Sequence, residues 1–189
     1  TLADNCWGGG NEERQCYTPA PANHRVADGL LSIIARRQSH SGPAFPPDQR
    51  TTPEKRRASR TKPFTSARLS TDGRASWRYG KMQVRAKLPQ GQGTWPAIWM
   101  LPEGWDYGAW AASGEIDIME LVGHEPNTYH GTLHYGDSWP KNKHSGKPYK
   151  LSVGSFADEF HVYSIDWKQG EISWYLDGKL WQTQNKWSS

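Results

Sequence analysis

The stretch "EISWYLDGKLWQ" at residues 171–182 carries the clearest fold signal in this chain. Apolar side chains recur at Ile172, Trp174, Leu176 and Leu180, on both sides of the dipeptide Asp177-Gly178. An Asp-Gly pair between two alternating runs is typical of a hairpin with a primed turn, because both central residues of that turn need a positive φ. The stretch therefore predicts two antiparallel strands joined by a two-residue turn.

Further strands are predicted by alternation of apolar and polar residues along the chain. In "GKMQVRAKLP" at 80–89, every second residue from Met82 to Leu88 is apolar and the residues between them are polar, which indicates a strand with one buried face. No segment shows a sustained helical period, and 39–62, the longest stretch without periodicity, is interpreted as a loop. The other predicted strands are 29–36, 64–70, 95–101, 115–122, 129–135 and 160–167.

Composition agrees with an all-β fold. Thirteen prolines, nineteen glycines, eleven tryptophans and eight tyrosines among 189 residues are typical of a turn-rich chain of short strands. Such strands predict an antiparallel sandwich or barrel, and the length suits one domain over residues 1–189. No apolar run approaches the roughly 20 residues that cross a bilayer, so no membrane association is expected. The N-terminus lacks signal-peptide features, so any export signal is expected to be already removed.

The formal net charge of +4 is mild, and much of the basic excess lies in "QRTTPEKRRASRTK" at 49–62. A basic run can contact nucleic acid or an acidic polymer, but it is more often a solvated loop. Aromatic residues do not interleave with this one, so nucleic acid is not an expected partner. Cys6 and Cys16 lack metal-ligand spacing. They form either one local disulfide or two free thiols.

The segment "GEIDIME" at 114–120 holds three carboxylates. In a regular strand Glu115 and Asp117 share a face with Met119, whereas Glu120 points to the opposite side. One extra residue in the strand, a β-bulge, would return Glu120 to the side of the other two while Met119 absorbs the irregularity. The spacing therefore predicts three acids on one face of a bulged strand.

Three adjacent acids are costly as structure, because like charges disfavour ionisation and no Lys or Arg lies between residues 103 and 140. Retaining glycoside hydrolysis uses two carboxyl groups about 5–5.5 Å apart, one as nucleophile and one as proton donor. Glu115 and Glu120 could reach that separation, and Asp117 between them could hold a proton. The alternative is an exposed acidic strand face.

Aromatic residues surround the acids. "GTWPAIWMLP" at 93–102 places Trp95 and Trp99 before them, and Trp110 lies in an adjacent Gly/Ala-rich loop. Indole rings stack on the flat C–H faces of sugars, so tryptophans beside an acid pair suit a carbohydrate cleft. Trp167 and Trp174, on alternating strands, are interpreted as core residues.

These motifs resemble glycoside hydrolase family 16. "GEIDIME", together with "YGKMQVRAKLPQGQGTWPAIWMLP" at 79–102 and "GTLHYG" at 131–136, is similar to the laminarinase-like endo-β-1,3-glucanases of that family. The similarity runs from about Cys6 to the last strand pair. It implies a β-jelly-roll sandwich whose concave sheet forms an open substrate-binding cleft, and hydrolysis with retention of configuration.

The resemblance also assigns residues. It implies that Glu115 is the nucleophile, Asp117 an assisting aspartate and Glu120 the acid/base. Arg68 matches the arginine of a T-S-x-R-L segment, and "NEERQCYT" at 11–18 resembles a segment at the far end of the cleft. The implied substrate-binding residues are Trp95, Trp99, Trp110, His134, Arg68, Asn11 and Glu13.

The chain departs from the family pattern at several points. Trp110-Ala111 stands where Trp-Pro is usual, Cys16 replaces a tyrosine and Glu12 an asparagine. Strands that usually precede and follow the matched region do not appear in the chain. We therefore expect a fragment, or a second polypeptide that completes the fold and avoids exposed strand edges. Because the family's calcium site draws on those ends, no metal is carried over, and no cofactor is expected.

The resemblance favours a secreted endo-β-1,3-glucanase in polysaccharide degradation, with β-glucan as its partner. A family member acting on another polymer is the first alternative: the basic run 49–62 would suit a sulfated galactan, whereas mixed-linkage glucanases typically lack the extra residue between Asp117 and Glu120. A non-catalytic β-glucan-binding protein is the second. Such binders generally lose the two glutamates, and this chain keeps both.

Overall fold

The computed structural model describes residues 1–187 and divides the chain into two compact units, Thr1–Ala75 and Ser76–Ser189. The prediction of one domain over 1–189 is not tested by this division and stays a prediction. No helix in the described residues has the length and apolar character to cross a membrane. The elements are β1 (Gln15–Tyr17), β2 (His24–Ala27), β3 (Leu30–Ile33), β4 (His40–Pro43), a 3₁₀ turn (Pro47–Gln49), α1 (Pro53–Arg57), β5 (Ser59–Lys62), β6 (Phe64–Ser66), β7 (Gly80–Ala86), β8 (Ala97–Met100), β9 (Glu115–Glu120), β10 (Thr128–Gly136), β11 (Asn142–Lys150), β12 (His161–Lys168), β13 (Glu171–Leu176) and β14 (Lys179–Gln184).

The second unit contains two four-stranded antiparallel sheets. One, the β9 sheet, has the order β11-β10-β9-β8, and the other, the β12 sheet, has the order β14-β13-β12-β7. One apolar cluster takes residues from both sheets, so its burial is what stabilises the sandwich. This confirms the predicted all-β, antiparallel sandwich class. The cluster includes Ile116, Ile118, Met119, Tyr129 and Leu133 from the β9 sheet, and Tyr163, Ile165, Ile172, Trp174 and Leu176 from the β12 sheet.

The predicted hairpin at 171–182 is confirmed. β13 and β14 pair antiparallel around Asp177 and Gly178, whose φ values of 49° and 79° are both positive, as a primed turn requires. Trp174 is fully buried, and Trp167 is half-buried against the core, in agreement with their interpretation as core residues. The predicted strand at 80–89 is β7; Leu88 is buried, but Val84 on the same predicted face is 39% exposed.

The first unit contains three two-stranded sheets, β1-β6, β2-β3 and β4-β5, of which the first pair is parallel. The interpretation of 39–62 as a loop is wrong, because β4, β5 and α1 all lie within it. β4 is mostly half-buried and β5 mostly exposed, and neither contains a buried residue, so no apolar alternation marks them. A signal for α1 was nonetheless present. Thr52 caps the helix by accepting a hydrogen bond from the Lys55 backbone N–H, and Pro53 occupies the first turn.

Two further expectations need correction. The single strand predicted at 29–36 is instead the end of a hairpin, β2–β3, that turns at Asp28-Gly29. β11 was not predicted, because "NKHSGKPYK" is largely polar and mostly exposed.

The alternatives left open for the two cysteines are resolved: Cys6 and Cys16 are buried and form a disulfide.

Candidate active site

The acidic strand β9 contains the predicted bulge. On its β10 side, Thr132 pairs with Asp117 and His130 with Glu120, so two steps along β10 correspond to three along β9. Glu115 pairs with His134, two further residues along β10. Because the three partners on β10 are spaced by two, they share one face of the sheet. The three carboxyls therefore lie on the same face, as the spacing predicted.

The residue that the bulge leaves unpaired differs from the expectation. On the β8 side, Trp99 pairs with Asp117 and Ile98 with Met119, so Ile118 is the extra residue. Ile118 and Met119 are 3% and 0% exposed, and both belong to the apolar core. Two consecutive side chains thus turn inward at the bulge. The assignment of the irregularity to Met119 is corrected to Ile118.

A buried hydrogen bond from the other sheet meets β9 at the bulge. The indole N–H of Trp174, on β13, donates to the main-chain carbonyl of Asp117 at 2.9 Å. A bulge disrupts the hydrogen-bond ladder locally, and a buried carbonyl without a partner is costly. Trp174 therefore helps to hold the irregular backbone that aligns the acids.

Burial and mutual repulsion raise the pKa of all three carboxyls. Desolvation, followed by the charge of Asp117, raises the pKa of Glu115 to about 7. Desolvation, followed by the charge of Glu120, raises the pKa of Asp117 to about 7. For Glu120 burial and the charge of Glu115 raise the pKa. Burial and mutual repulsion thus favour the protonated forms of all three carboxyls, and with pKa values of about 7 Glu115 and Asp117 are partly protonated near neutral pH.

Indole and imidazole groups oppose that rise. Trp110 Nε1–H donates to Glu115 Oε2 at 2.5 Å, and Trp95 hydrogen-bonds Glu120; each contact lowers the pKa of its carboxyl. His134 Nε2 lies 3.1 Å from Asp117 Oδ2, at ion-pair distance but without the alignment of a hydrogen bond. The structure thus brings Trp95, Trp110 and His134 to the carboxyls, and it places Trp99 directly opposite Asp117 on β8.

Sequence reasoning missed several neighbours of the acids. His130 and Thr132 lie opposite Glu120 and Asp117, and His130 lowers the pKa of Glu120. His144, on β11, pairs with His134. Alternation along "TYHGTLHYG" could have placed His130, Thr132 and His134 on one face, but only the observed register sets them opposite the carboxyls.

A second aromatic loop lies beside the Trp110 loop. The backbone N–H of Trp139 donates to the Trp110 carbonyl at 2.8 Å, and the Trp139 side chain is 73% exposed. Trp95 and Trp105 are about half-exposed, at 50% and 48%. Large exposed aromatic faces can stack on sugar rings. Trp139 is thus a further candidate for substrate contact.

The remaining sequence-predicted residues, Arg68, Asn11 and Glu13, lie in the first unit. Asn11 is exposed in a turn, and its backbone N–H donates to the Gly8 carbonyl. Glu13 is half-buried and accepts hydrogen bonds from Gln15 and Tyr17. Arg68 is half-buried after β6; burial raises the pKa of Tyr17, and the charge of Arg68 partly offsets that rise. Their predicted substrate contacts stay predictions.

One group of side chains has the composition of a cation site. Glu115, Asp117 and His134 each offer one ligand atom, and these atoms lie within 4.8 Å of one another. The same side chains form the hydrogen bonds and ion pair described above, so a cation there would compete with protons on the carboxyls. The expectation that the protein needs no metal stays a prediction.

Two glutamates flanking a third carboxyl on one sheet face, with indole N–H groups directed at them, have the make-up of a carbohydrate-cleaving site on a β-sandwich. Residues 36–189 match the family described as Glycosyl hydrolases family 16. The chain belongs to this family.

Individual relatives agree with this assignment. The chain is 43% identical over 186 residues to a glucan endo-1,3-beta-glucosidase A1 of Niallia circulans, covering 97% of this chain and 26% of the relative. It is 48% identical over 126 residues to a beta-1,3-glucan-binding protein of Penaeus monodon, covering 62% and 34%. A laminarinase structure from Rhodothermus marinus superposes with a TM-score of 0.77 at 39% identity, covering 96% and 66%. The chain thus spans less than two thirds of each of these relatives.

Proposed function

We propose that this chain is a retaining endo-hydrolase of laminarin-type β-1,3-glucan. The observation that carries the proposal is the bulge at Ile118, which sets Glu115, Asp117 and Glu120 on one face of β9 among indole donors. The names of the glucosidase and laminarinase relatives support the substrate class and the endo mode.

The first chemical step forms a glycosyl-enzyme ester. A Glu115 carboxylate oxygen attacks C1 of the sugar while the bond from C1 to the glycosidic oxygen breaks. Glu120 delivers its proton to that oxygen, so the leaving sugar departs as a neutral alcohol. Burial first, and then the charge of Glu115, raise the pKa of Glu120, which favours the protonated form that this step needs.

The second step releases the sugar. Glu120, now ionised, takes a proton from a water molecule whose oxygen attacks C1 from the side of the departed group. The ester bond from C1 to Glu115 breaks, which restores the carboxylate of Glu115 and the proton on Glu120. Two displacements at C1 give net retention of configuration.

Asp117 and His134 position charge around the nucleophile. A hydrogen bond between Glu115 and Asp117 raises the pKa of Glu115 and lowers that of Asp117. His134, 3.1 Å from Asp117, also lowers the pKa of Glu115 by its charge. As Glu115 loses its charge to the ester, the proton shared with Asp117 can move to Asp117 and relieve the repulsion within the set.

We further propose that the protein is secreted and acts in polysaccharide degradation. The Cys6–Cys16 disulfide supports this, because structural disulfides persist mainly in oxidising compartments. Detection of the oxidised protein in the culture supernatant of its source organism tests the proposal. Accumulation inside the cell with both thiols reduced would contradict it.

The direct test compares reducing-sugar release from laminarin, lichenan, agarose and carrageenan. We expect laminarin to be the preferred substrate, and Glu115→Gln to lower its hydrolysis by about 10⁴-fold or more. Glu125→Gln, at an exposed glutamate beyond β9, is the matched control and should retain full rate. Preference for carrageenan would replace the substrate assignment, and equal rates in wild type and Glu115→Gln would overturn the carboxylate mechanism.

A second candidate is glucan binding without hydrolysis. The relative named a beta-1,3-glucan-binding protein favours it, whereas the retained glutamates oppose it. Binding of laminarin by wild type, with no release of reducing ends beyond that of Glu115→Gln, would select this candidate.

A further inference from the structure

The positive charge of this protein is concentrated in one segment of the first unit. Residues 45–62 hold six basic and two acidic side chains, a net charge of +4 that equals the formal net charge of the whole chain. Ion pairs in the described residues are His134–Asp117, His161–Asp177 and Lys168–Asp166, all of them in the second unit. Among the described residues, the basic groups of 45–62 therefore form no ion pair with a carboxylate.

A surface cavity of about 450 Å³ lies beside this segment. Arg14, Arg60 and Lys62 line it together with Trp7, and the acidic side chains that line it are Glu12 and Glu13. Its volume is in the range of small-ligand sites, and its three basic side chains exceed its two acidic ones.

Aromatic rings hold the two arginines of the cavity. The Arg14 guanidinium lies over the Phe64 ring at 5.5 Å, and the Arg60 guanidinium lies over the Phe45 ring at 5.7 Å. A ring face orients a guanidinium without occupying its N–H donors. The donors of both arginines are thus left for a planar or tetrahedral anion, which guanidinium groups bind in a bidentate manner.

The acidic wall of the cavity is already engaged by the protein. Glu13 Oε2 accepts hydrogen bonds from Gln15 Nε2 at 2.5 Å and from the Tyr17 hydroxyl at 2.6 Å. Gly8 and Gly9, both with positive φ, bring their backbone against Glu13 so closely that a Cβ at Gly9 would lie 2.3 Å from its Oε1. The Glu13 carboxyl is therefore held in place by two side-chain hydrogen bonds within the protein.

Lys62 completes the basic side of the cavity. Its amine donates to the Glu13 carbonyl, and its pKa is lowered by burial and by the charge of Arg60, against the opposing charge of Glu13. An anion placed between Lys62 and Arg60 would relieve this repulsion. Trp7, which is half-buried and also lines the cavity, has an indole ring on which a sugar ring can stack.

We infer that this cavity, defined by Trp7, Arg14, Arg60 and Lys62, binds an acidic polysaccharide through a sulfate ester or carboxylate. The residues that define this cavity belong to the first unit and the three carboxyls of β9 belong to the second, and the inferred binding does not depend on the proposed hydrolysis. A compact cavity with one indole, in place of a groove lined by several aromatic residues, favours a glycan over a nucleic acid strand.

Calorimetric titration of the full chain at low salt tests the inference. The probes are a sulfated heparin hexasaccharide and the carboxylate-bearing hexagalacturonate. We expect Arg14→Gln/Arg60→Gln to weaken binding of the preferred probe by about tenfold or more, because each lost arginine removes charge-assisted hydrogen bonds. The matched control Arg56→Gln/Arg57→Gln removes the same charge from α1, outside the cavity, and should weaken binding by less than about threefold. Which hexasaccharide binds identifies the anion.

Other results would overturn the inference. They are equal losses in the two double variants, no binding of either acidic probe, and single-stranded DNA of matched charge binding as tightly and depending on the same arginines. The inference would also be overturned if the arginine substitutions weakened binding of laminarihexaose as much as binding of the acidic probes. This measurement uses the Glu115→Gln background, so that laminarihexaose is not hydrolysed. Arg14→Lys/Arg60→Lys keeps both charges and should recover part of the affinity, which separates a binding loss from a folding defect. Acidic-probe binding by Glu115→Gln is expected to equal that of wild type.

Discussion

The two faces of β9 differ in what they require from the same six residues. One face has to keep three carboxyls side by side, Asp117 buried and Glu115 and Glu120 half-buried, which costs desolvation and charge repulsion. The other has to fill a closely packed core, which rewards apolar burial. The core face holds Ile116, Ile118 and Met119, with exposures of 8%, 3% and 0%, and the site face holds Glu115, Asp117 and Glu120.

A regular strand could not meet both requirements with this sequence. Strict alternation would direct Met119 toward the carboxyls and Glu120 into the core. The bulge at Ile118 instead turns two consecutive apolar residues inward and restores Glu120 to the site face. The bulge thus makes the site and the core separable. Substitutions on one face should change chemistry, and those on the other should change stability.

The largest expected effect lies on the site face. Glu115→Ala and Glu120→Ala should each reduce cleavage of an activated aryl β-glucoside of laminari-oligosaccharides, the former by about 10⁴-fold. Azide should rescue both by different routes. In Glu115→Ala it replaces the nucleophile in one displacement and gives the α-glycosyl azide. In Glu120→Ala it attacks the glycosyl-enzyme ester and gives the β-glycosyl azide.

Product configuration by proton NMR measures this prediction. Glu125→Ala, at an exposed position, is the control and should show no azide dependence. The same azide configuration from both variants would show that the two glutamates do not have distinct roles.

The next effect lies on the core face. Met119 is fully buried, so Met119→Ala should lower the free energy of unfolding by about 2–5 kcal/mol through lost burial and a cavity. Urea unfolding measures it. Glu120→Gln, the next residue on the opposite face, is the matched control and should unfold at or above the wild-type midpoint because it relieves charge repulsion. A larger loss in Glu120→Gln than in Met119→Ala would contradict the separation of the two faces.

The sequence predicted the bulge but not its position. The spacing of the acids requires one extra residue, yet Ile118 and Met119 are both apolar and both buried, so residue type cannot choose between them. The pairing of β9 with β8 makes the choice. Likewise the hydrogen bond from Trp174 to Asp117 joins residues far apart in the chain, and no local sequence pattern predicts it.

Two hairpins show a similar limit to what the sequence can predict. Asp28-Gly29 and Asp177-Gly178 have the same turn sequence and positive φ at both residues. Beside the first turn, Val26 and Leu31 are 76% and 52% exposed, whereas Trp174 on β13 is fully buried. A turn is specified by its own residues, so the Asp-Gly pair predicts a turn at both places. Burial depends on what packs against the strands, which the sequence of the hairpin does not specify.

A smaller effect concerns stability and pH. The pKa of Asp117 rises from 3.8, the value of a solvent-exposed aspartate, to about 7 in the fold, mainly through burial. Between these values the native state binds more protons than the unfolded state, so this contribution to stability is present below about pH 4 and is lost as pH rises to about 7. Asp117→Asn does not ionise and should lose less stability over that interval.

Unfolding midpoints in urea at pH 4.5 and pH 7.5 measure this difference. Asp137→Asn, at an exposed aspartate after β10, is the control and should follow the wild-type pH dependence. If the unfolding midpoint of Asp117→Asn fell between pH 4.5 and pH 7.5 as steeply as that of wild type, burial would not be opposing the ionisation of Asp117.

The smallest effect concerns the indole donor at the edge of the site face. Trp110 donates to Glu115 and lowers its pKa, so Trp110→Phe should raise that pKa and move the acidic limb of the kcat/KM profile to higher pH. On laminarin the expected loss is about three- to tenfold at pH 5 and small at pH 8. Trp105→Phe, a half-exposed tryptophan of the same loop, is the control and should leave the limb in place. A uniform loss at all pH values would mean that Trp110 only stacks on substrate and does not tune the nucleophile.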